Sequence, residues 1–339
     1  MRVLLTRLSA LGDIVHTWPL AEALHRGRPD IELFWLVERP FLSLVESHPA
    51  VTQAIPVATR RWRRAPWATA TRNEVVATVR RLRALGCDLA IDSQGLLKSA
   101  VWARLARVPA RVGLSAGHRR ERLGGSFYTH TVTPPAEATH VVDINLALAG
   151  AVGVEPRLGA LPDGRFLVDR AADPALTAGG VVLLPATGGP GKAWPASSFV
   201  ALAAELARRG RPVTVAWGPG ERALAEEIAA GAGAQVQVAP PTTIPELASL
   251  LSEAGLVVGG DTGTVHLAAS LGVPTVGIFV ATDPTRNGPR GKHVAVVAAA
   301  PSGSSHGRAR TGAAGTVALS EVLAAAEQLL ARKSPSLQP

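Results

Sequence analysis

Leu256-Val257-Val258-Gly259-Gly260-Asp261-Thr262-Gly263-Thr264-Val265-His266 opens on three apolar residues, breaks on two glycines and resumes with helical period. Residues 256–258 predict a buried strand and residues 264–271 a helix. Between them the glycines let the backbone come close to a ligand. The free N–H groups of the first helical turn face outward at the positive end of the helix dipole. Such a turn is a cradle for a diphosphate. Thr262 and Thr264 add hydroxyl donors, and His266 falls one turn in. Asp261 could also serve as a plain helix N-cap, although capping needs only one such residue.

The same alternation extends in both directions. Strands are expected at 181–185, 213–216, 236–238 and 275–279, with helices at 197–209, 221–230 and 244–253. The first half repeats the scheme. It predicts strands at 3–6, 32–37, 54–57, 89–92 and 111–113, with helices clearest at 73–85 and 97–106. Stacked βαβ units of this kind form parallel sheets covered by helices. The expected architecture is α/β, with two Rossmann-like doubly wound domains facing across a cleft. The domains are residues 1–155 and 175–300, joined by a linker within 152–180. A Gly/Ser/Arg-rich stretch at 302–315 reads as a mobile loop. An amphipathic helix at 317–330 is expected to pack back on the first domain. Ligands of open α/β sheets bind at the carboxyl ends of the strands, so function is expected there.

Three further elements could carry chemistry. Lys192 lies in Thr187-Gly188-Gly189-Pro190-Gly191-Lys192-Ala193-Trp194-Pro195, where a cation on a glycine-rich loop can neutralise a departing phosphate. A solvated loop lysine is the alternative. Asp13, in Ser9-Ala10-Leu11-Gly12-Asp13 after the first strand, can act as a general base or as another N-cap. His16, three residues on, is a neighbour or a packing residue. A basic set follows: Arg60, Arg61, Arg63, Arg64, Lys98 and Arg120, whose arginines match phosphate and carboxylate oxygens in pairs. Trp62 and Trp67, interleaved with it, permit a membrane-surface reading.

Composition narrows the field. The chain has 339 residues, enough for two cores, and 47% of them are hydrophobic. Its single cysteine, Cys87, excludes an internal disulfide framework and a cysteine-based zinc site, and reads as a buried thiol. No run reaches the ~20 apolar residues of a membrane span, and the N-terminus is too short and too charged for a signal peptide, which predicts a cytoplasmic location. A net charge of +9 points to a polyanionic partner: nucleic acid, an anionic membrane or a phosphorylated glycolipid. No nucleic-acid module is recognisable. The first βα turn also lacks the Gly-x-Gly-x-x-Gly fingerprint of Rossmann dehydrogenases.

Together these segments resemble glycosyltransferase family nine, the bacterial heptosyltransferases. The residues that carry the likeness are Leu8-Ser9-Ala10-Leu11-Gly12-Asp13-Ile14-Val15-His16-Thr17, Lys192-Ala193-Trp194-Pro195 and Asp261-Thr262-Gly263-Thr264-Val265-His266. Ile55-Pro56-Val57-Ala58-Thr59-Arg60-Arg61-Trp62-Arg63 and Ile91-Asp92-Ser93-Gln94-Gly95-Leu96-Leu97-Lys98-Ser99-Ala100 look like the subgroup that adds the first heptose. The resemblance implies a GT-B fold and an inverting transfer with no metal or other cofactor. It implies ADP-L-glycero-D-manno-heptose as donor substrate and Kdo2-lipid A as acceptor. The implied place is the cytoplasmic face of a Gram-negative inner membrane, where the enzyme would sit peripherally on an anionic surface and bind no nucleic acid.

By the same likeness, Asp13 is the general base, with Ser9 and Gly12 beside it on the acceptor side. Thr187, Lys192, Thr262, Gly263 and Thr264 hold the diphosphate, Asp261 and His266 stand at the heptose end, and Glu221 meets the adenosine ribose. Arg60, Arg61, Arg63, Lys98 and Arg120 meet the acceptor's carboxylates and phosphates. Gly188, the Gly189-Pro190-Gly191 run and Ala281 depart from the family pattern. The alternatives are a family-nine transferase acting on a later core sugar, a nucleotide-sugar epimerase and a basic nucleic-acid-binding protein.

Overall fold

The computed structural model describes residues 1–168, 178–189, 191–299 and 316–333. The chain divides into two compact units, Met1–Ala160 and Leu161–Pro339. In the first, β1 (Arg2–Thr6), α1 (Leu11–Val15), α2 (Trp18–Gly27), β2 (Glu32–Glu38), α3 (Ser43–Glu46) and β3 (Gln53–Val57) come in order. Then follow α4 (Thr59–Arg64), α5 (Thr69–Ala84), β4 (Leu89–Asp92), α6 (Leu97–Leu105), β5 (Ala110–Leu114), β6 (His130–Val132) and α7 (Val141–Leu146). The strands lie in the order β3-β2-β1-β4-β5-β6, with every pairing parallel. Strand side chains alternate between faces. Leu4, Phe34, Leu36, Ile55 and Val57 therefore build one core with Leu82, Trp62 and Trp102 from the helices.

The second unit contains β7 (Val181–Leu184), α8 (Ala196–Arg208), β8 (Val213–Val215), α9 (Arg222–Ala232), β9 (Val236–Val238) and α10 (Ile244–Ser252). It continues with β10 (Leu256–Gly260), α11 (Gly263–Ser270), β11 (Thr275–Phe279), α12 (Pro284–Asn287), β12 (Val294–Ala298) and α13 (Leu319–Lys333). Its sheet runs β12-β11-β10-β7-β8-β9, again wholly parallel. This is the strand order of the first sheet, and both are doubly wound sheets as expected. Local chemistry sets the helix starts. At α10 the Thr243 hydroxyl accepts from the Glu246 N–H, and the Glu246 carboxylate accepts from the Thr243 N–H at 2.7 Å.

The C-terminal helix corrects an expectation. Val322, Ala326 and Leu329 of α13 join the core formed by Val181, Leu183, Val276 and Ile278 of the second sheet. Trp194 Nε1 donates to the Val317 carbonyl at 2.9 Å, fixing the entry to that helix. Its apolar face is thus spent on the second unit rather than the first. The 302–315 loop, and part of the expected linker, lie outside the described residues.

Cys87 is 6% exposed, and burial raises its thiol to a pKa of about 11. At pH 8 the thiolate fraction is then about 10⁻³. Thiol titration at pH 8 is expected to show no prompt reaction in the folded chain and one equivalent after denaturation.

Candidate active site

Each sheet reverses its strand order beside its first strand, between β1 and β4 and between β7 and β10. Loops leaving the carboxyl ends at such a point splay apart and open a crevice. Asp13, Lys98, Lys192 and Asp261 lie on these loops or in the first turn of the helices that follow them, while Arg60, Arg120 and Glu221 follow the neighbouring strands β3, β5 and β8.

In the second unit α11 begins after Thr262, whose backbone is extended and whose side chain makes no capping bond. Asp261 is therefore not the cap. Its Oδ2 accepts from Lys192 Nζ at 2.8 Å and from Thr282 Oγ1 at 2.7 Å. Lys192 and Asp261 are both half-buried, so the pair joins the loop after β7 to the loop after β10. Gly260 permits this approach, since a Cβ there would come within 2.6 Å of the Thr187 methyl. Gly263 and Thr264 form the first turn of α11, and Thr262 and Thr264 are half-buried. His266 is buried one turn further in.

Glu221 caps the turn after β8, where its Oε2 accepts from the Gly218 N–H at 2.9 Å. Beside it Trp217 donates Nε1 to the Ala239 carbonyl at 2.8 Å, and the Arg222 guanidinium lies over its ring. Gly188 is exposed, and a side chain there would meet open space. Pro190 lies outside the described residues. Ala281 packs at the edge of the second core.

In the first unit Asp13 sits in the opening turn of α1. Its Oδ2 accepts from the Ala10 N–H at 3.2 Å, and its Oδ1 pairs with Arg7 Nη2 at 2.8 Å. The carboxylate remains 39% exposed, while the Arg7 side chain is buried and also donates to the Ser93 carbonyl. Asp13 is therefore not the N-cap, which is Ala10; it stands at the third helical position, where its carboxylate accepts from the N-cap N–H and stays partly open to solvent. Gly12 is buried within α1. Gln94 straps this loop to β4. It accepts from the Leu8 N–H at 2.9 Å and donates to the Ser9 carbonyl at 3.3 Å.

Asp92, buried at the end of β4, organises the next loop. It accepts from the Gln94 and Gly95 N–H groups, from Ser99 Oγ at 2.8 Å and from Tyr128 Oη at 2.8 Å. Burial pushes its carboxyl upward, against the pull of those donors. The loop delivers Lys98, whose Nζ donates to Ser9 Oγ at 3.3 Å.

Lys98 lines a pocket of about 400 Å³ with Thr59, Arg60, Trp62, Arg63, Val101 and Trp102. Trp62 is buried, its ring 5.7 Å from that of Trp102, and its Nε1 donates to Glu74 at 2.7 Å. That anchoring turns Arg60 and Arg63 of the same short helix to the pocket. It also corrects the membrane reading of Trp62, which belongs to the core; Trp67 is the exposed indole. Arg61 does not line the pocket and pairs with Glu74 instead. Arg120 is exposed, with its backbone against Gly95, and also does not line the pocket. His16 is buried, 5.3 Å from the His140 ring, which makes it a packing residue.

Four residues in this arrangement escaped sequence reasoning: Arg7, Glu38, Gln94 and Thr282. Glu38 is buried at the end of β2, where Thr59 donates to it. Their common signal is a polar residue at or just beyond the end of an apolar strand.

Residues 75–317 match the model of glycosyltransferase family 9 (heptosyltransferase). The chain belongs to glycosyltransferase family 9. It is 36% identical over 293 residues to lipopolysaccharide heptosyltransferase 1 of Pseudomonas aeruginosa, an alignment covering 86% of this chain and 82% of that one. Among solved structures it is similar to Escherichia coli heptosyltransferase WaaC with ADP, at a TM-score of 0.79 and 32% identity, covering 88% of this chain and 93% of the other. It is also similar to the same enzyme with ADP-2-deoxy-2-fluoro heptose, at a TM-score of 0.77 and 30% identity, covering 98% and 100%. A family 9 chain is a glycosyltransferase, and the two parallel-sheet units are those of its GT-B relatives.

Proposed function

We propose that this chain moves L-glycero-D-manno-heptose from ADP-heptose to a Kdo hydroxyl of Kdo2-lipid A in lipopolysaccharide inner-core synthesis. The supporting observation is the Lys192–Asp261–Thr282 group at the mouth of α11, a cation poised at a helix N-terminus beside glycines that admit a diphosphate. The ADP and ADP-2-deoxy-2-fluoro heptose held by the Escherichia coli relative support the donor class. The anionic acceptor is supported by the pocket lined by Arg60, Arg63 and Lys98.

In this reading the acceptor oxygen attacks the anomeric carbon from the face opposite ADP. Its proton passes to Asp13 as the bond to the diphosphate oxygen breaks, and the configuration inverts. Lys192 and the N–H groups of Gly263 and Thr264 receive the charge that develops on the leaving diphosphate, in place of a metal. Glu221 holds the ribose and His266 supports the heptose end. The work takes place at the cytoplasmic face of the inner membrane. Among the described residues no helix is long and apolar enough to cross a membrane.

Incubating Kdo2-lipid A with the chain and ADP-heptose is expected to add one heptose by mass. An unchanged lipid, or addition only to an already heptosylated acceptor, would overturn the reading.

Lys98 yields a pH dependence. Burial lowers its pKa; Glu38 opposes that shift, while Arg60 and Arg63 reinforce it. As pH rises the ammonium loses its proton below the ordinary lysine value of about 10.4, and the anionic acceptor loses a counter-charge. Acceptor KM is therefore expected to climb earlier on the alkaline side than an ordinary lysine would dictate. Lys98→Arg is expected to flatten that climb. KM measured across alkaline pH for both chains checks this.

A further inference from the structure

The turn between α4 and α5 is Ala65-Pro66-Trp67-Ala68, and all four residues are exposed. Trp67 is 85% exposed, the extreme among the large hydrophobics. Arg63 and Arg64 precede the turn, and Arg72 follows it in the first turns of α5. A second apolar tip stands beside α6. Leu123 is 71% exposed between Arg122 and Gly124, and Gly124 lies against the backbone of Leu96 and Leu97. Leu97 is itself exposed. Both tips adjoin the helices that line the basic pocket, α4 through Arg60 and Arg63 and α6 through Lys98.

The charges around the tips are uncommitted. Among the described residues none of Arg63, Arg64, Arg72, Arg120 and Arg122 enters an ion pair. The acids nearest in sequence are already engaged: Glu74 takes Arg61 and the Trp62 indole, and Glu121 accepts from the Leu97 N–H at 2.7 Å. An indole and a leucine held out in water, each flanked along the chain by exposed arginines outside any ion pair, suit an interface with apolar depth and negative surface charge. A nucleic acid would use the charge but would have no need of Leu123.

We infer that the Trp67 turn and the Leu97–Leu123 tip form a two-point docking surface for an anionic lipid bilayer, set beside the acceptor pocket. This rests on the proposed function, for which it names the surface on which a lipid-borne acceptor is met. The tips would enter the headgroup layer while Arg64, Arg72 and Arg122 pair with lipid phosphates, leaving the pocket at the membrane face.

The test is sedimentation of the full chain with vesicles of phosphatidylethanolamine and phosphatidylglycerol, against vesicles of phosphatidylcholine alone. Binding is expected to the anionic vesicles only and to weaken with salt. Trp67→Ala and Leu123→Ser are each expected to weaken it by about tenfold, and Arg64→Gln or Arg72→Gln by about fivefold. All four positions are exposed, so melting curves should be unchanged. Turnover of a deacylated, water-soluble acceptor should equal that of the unaltered chain in each case. Equal vesicle binding by the Trp67 and Leu123 variants overturns the docking surface. So does equal binding to phosphatidylcholine, or binding to RNA in preference to anionic vesicles. Loss of turnover on the soluble acceptor by the unaltered chain would instead overturn the proposed function.

Discussion

The Asp13→Asn chain is expected to lose about 10²–10⁴-fold in kcat, the usual cost of deleting a general base, while ADP affinity stays as it was. The geometry makes this substitution more telling than alanine. Asp13 uses one oxygen to accept from the Ala10 N–H and the other to pair with Arg7. Asparagine keeps an acceptor for the Ala10 N–H and nearly the same volume, so α1 retains its start. It cannot receive a proton from an acceptor hydroxyl. Arg7 is buried, and without the carboxylate it keeps only the Ser93 carbonyl, so a modest fall in melting temperature is expected as well. Stopped-flow turnover set beside ADP titration separates the two effects. Turnover close to that of the unaltered chain would remove Asp13 from the chemistry and leave it as a support for the start of α1.

Lys192→Ala is expected to act on both binding and turnover. Loss of one preorganised donor at a developing negative charge typically costs about 10²–10³ in kcat. ADP affinity falls too, because the substitution exposes a liability. With Nζ gone, the half-buried Asp261 carboxylate keeps Thr282 at 2.7 Å and faces an incoming diphosphate of like charge. The double variant Lys192→Ala with Asp261→Asn is expected to recover part of the ADP affinity and none of the turnover. That non-additivity is the signature of a coupled pair. Calorimetric titration of ADP into four chains, the unaltered one, Lys192→Ala, Asp261→Asn and the double variant, checks it; strict additivity would mean that the two side chains act apart.

The alternation of β-branched runs with helical segments made both sheets readable, down to the glycines before α11. Two strands were not readable. His130–Val132 is three residues long at a sheet edge, and Val294–Ala298 stands at the other sheet's edge with none of its five residues fully buried. Both lack the buried apolar density that marks β1 or β10. Helix α4 was equally hidden, because a six-residue segment with four arginines shows no apolar period. Its one cue, Trp62, reads locally as a surface indole, and only contact with Trp102, far along the chain, makes it core. Distance likewise conceals the roles of Gln94 and Thr282, whose partners stand 86 and 21 residues away. The turn proposed for the diphosphate stood out in the sequence because a single loop-to-helix segment, residues 259–264, carries most of its residues. The basic set was legible only as composition, and the fold then sorted it, turning Arg60, Arg63 and Lys98 to one pocket and giving Arg61 to Glu74.

Within each sheet every strand points the same way, so each unit taken by itself has two unlike rims. The side chains proposed for chemistry follow the carboxyl ends of the strands, while the loops entering the strands have only to turn the chain around. Relatives with other sugars to handle can therefore diversify on one rim without renegotiating the packing beneath. The opposite rim is where tags, fusions and insertions belong.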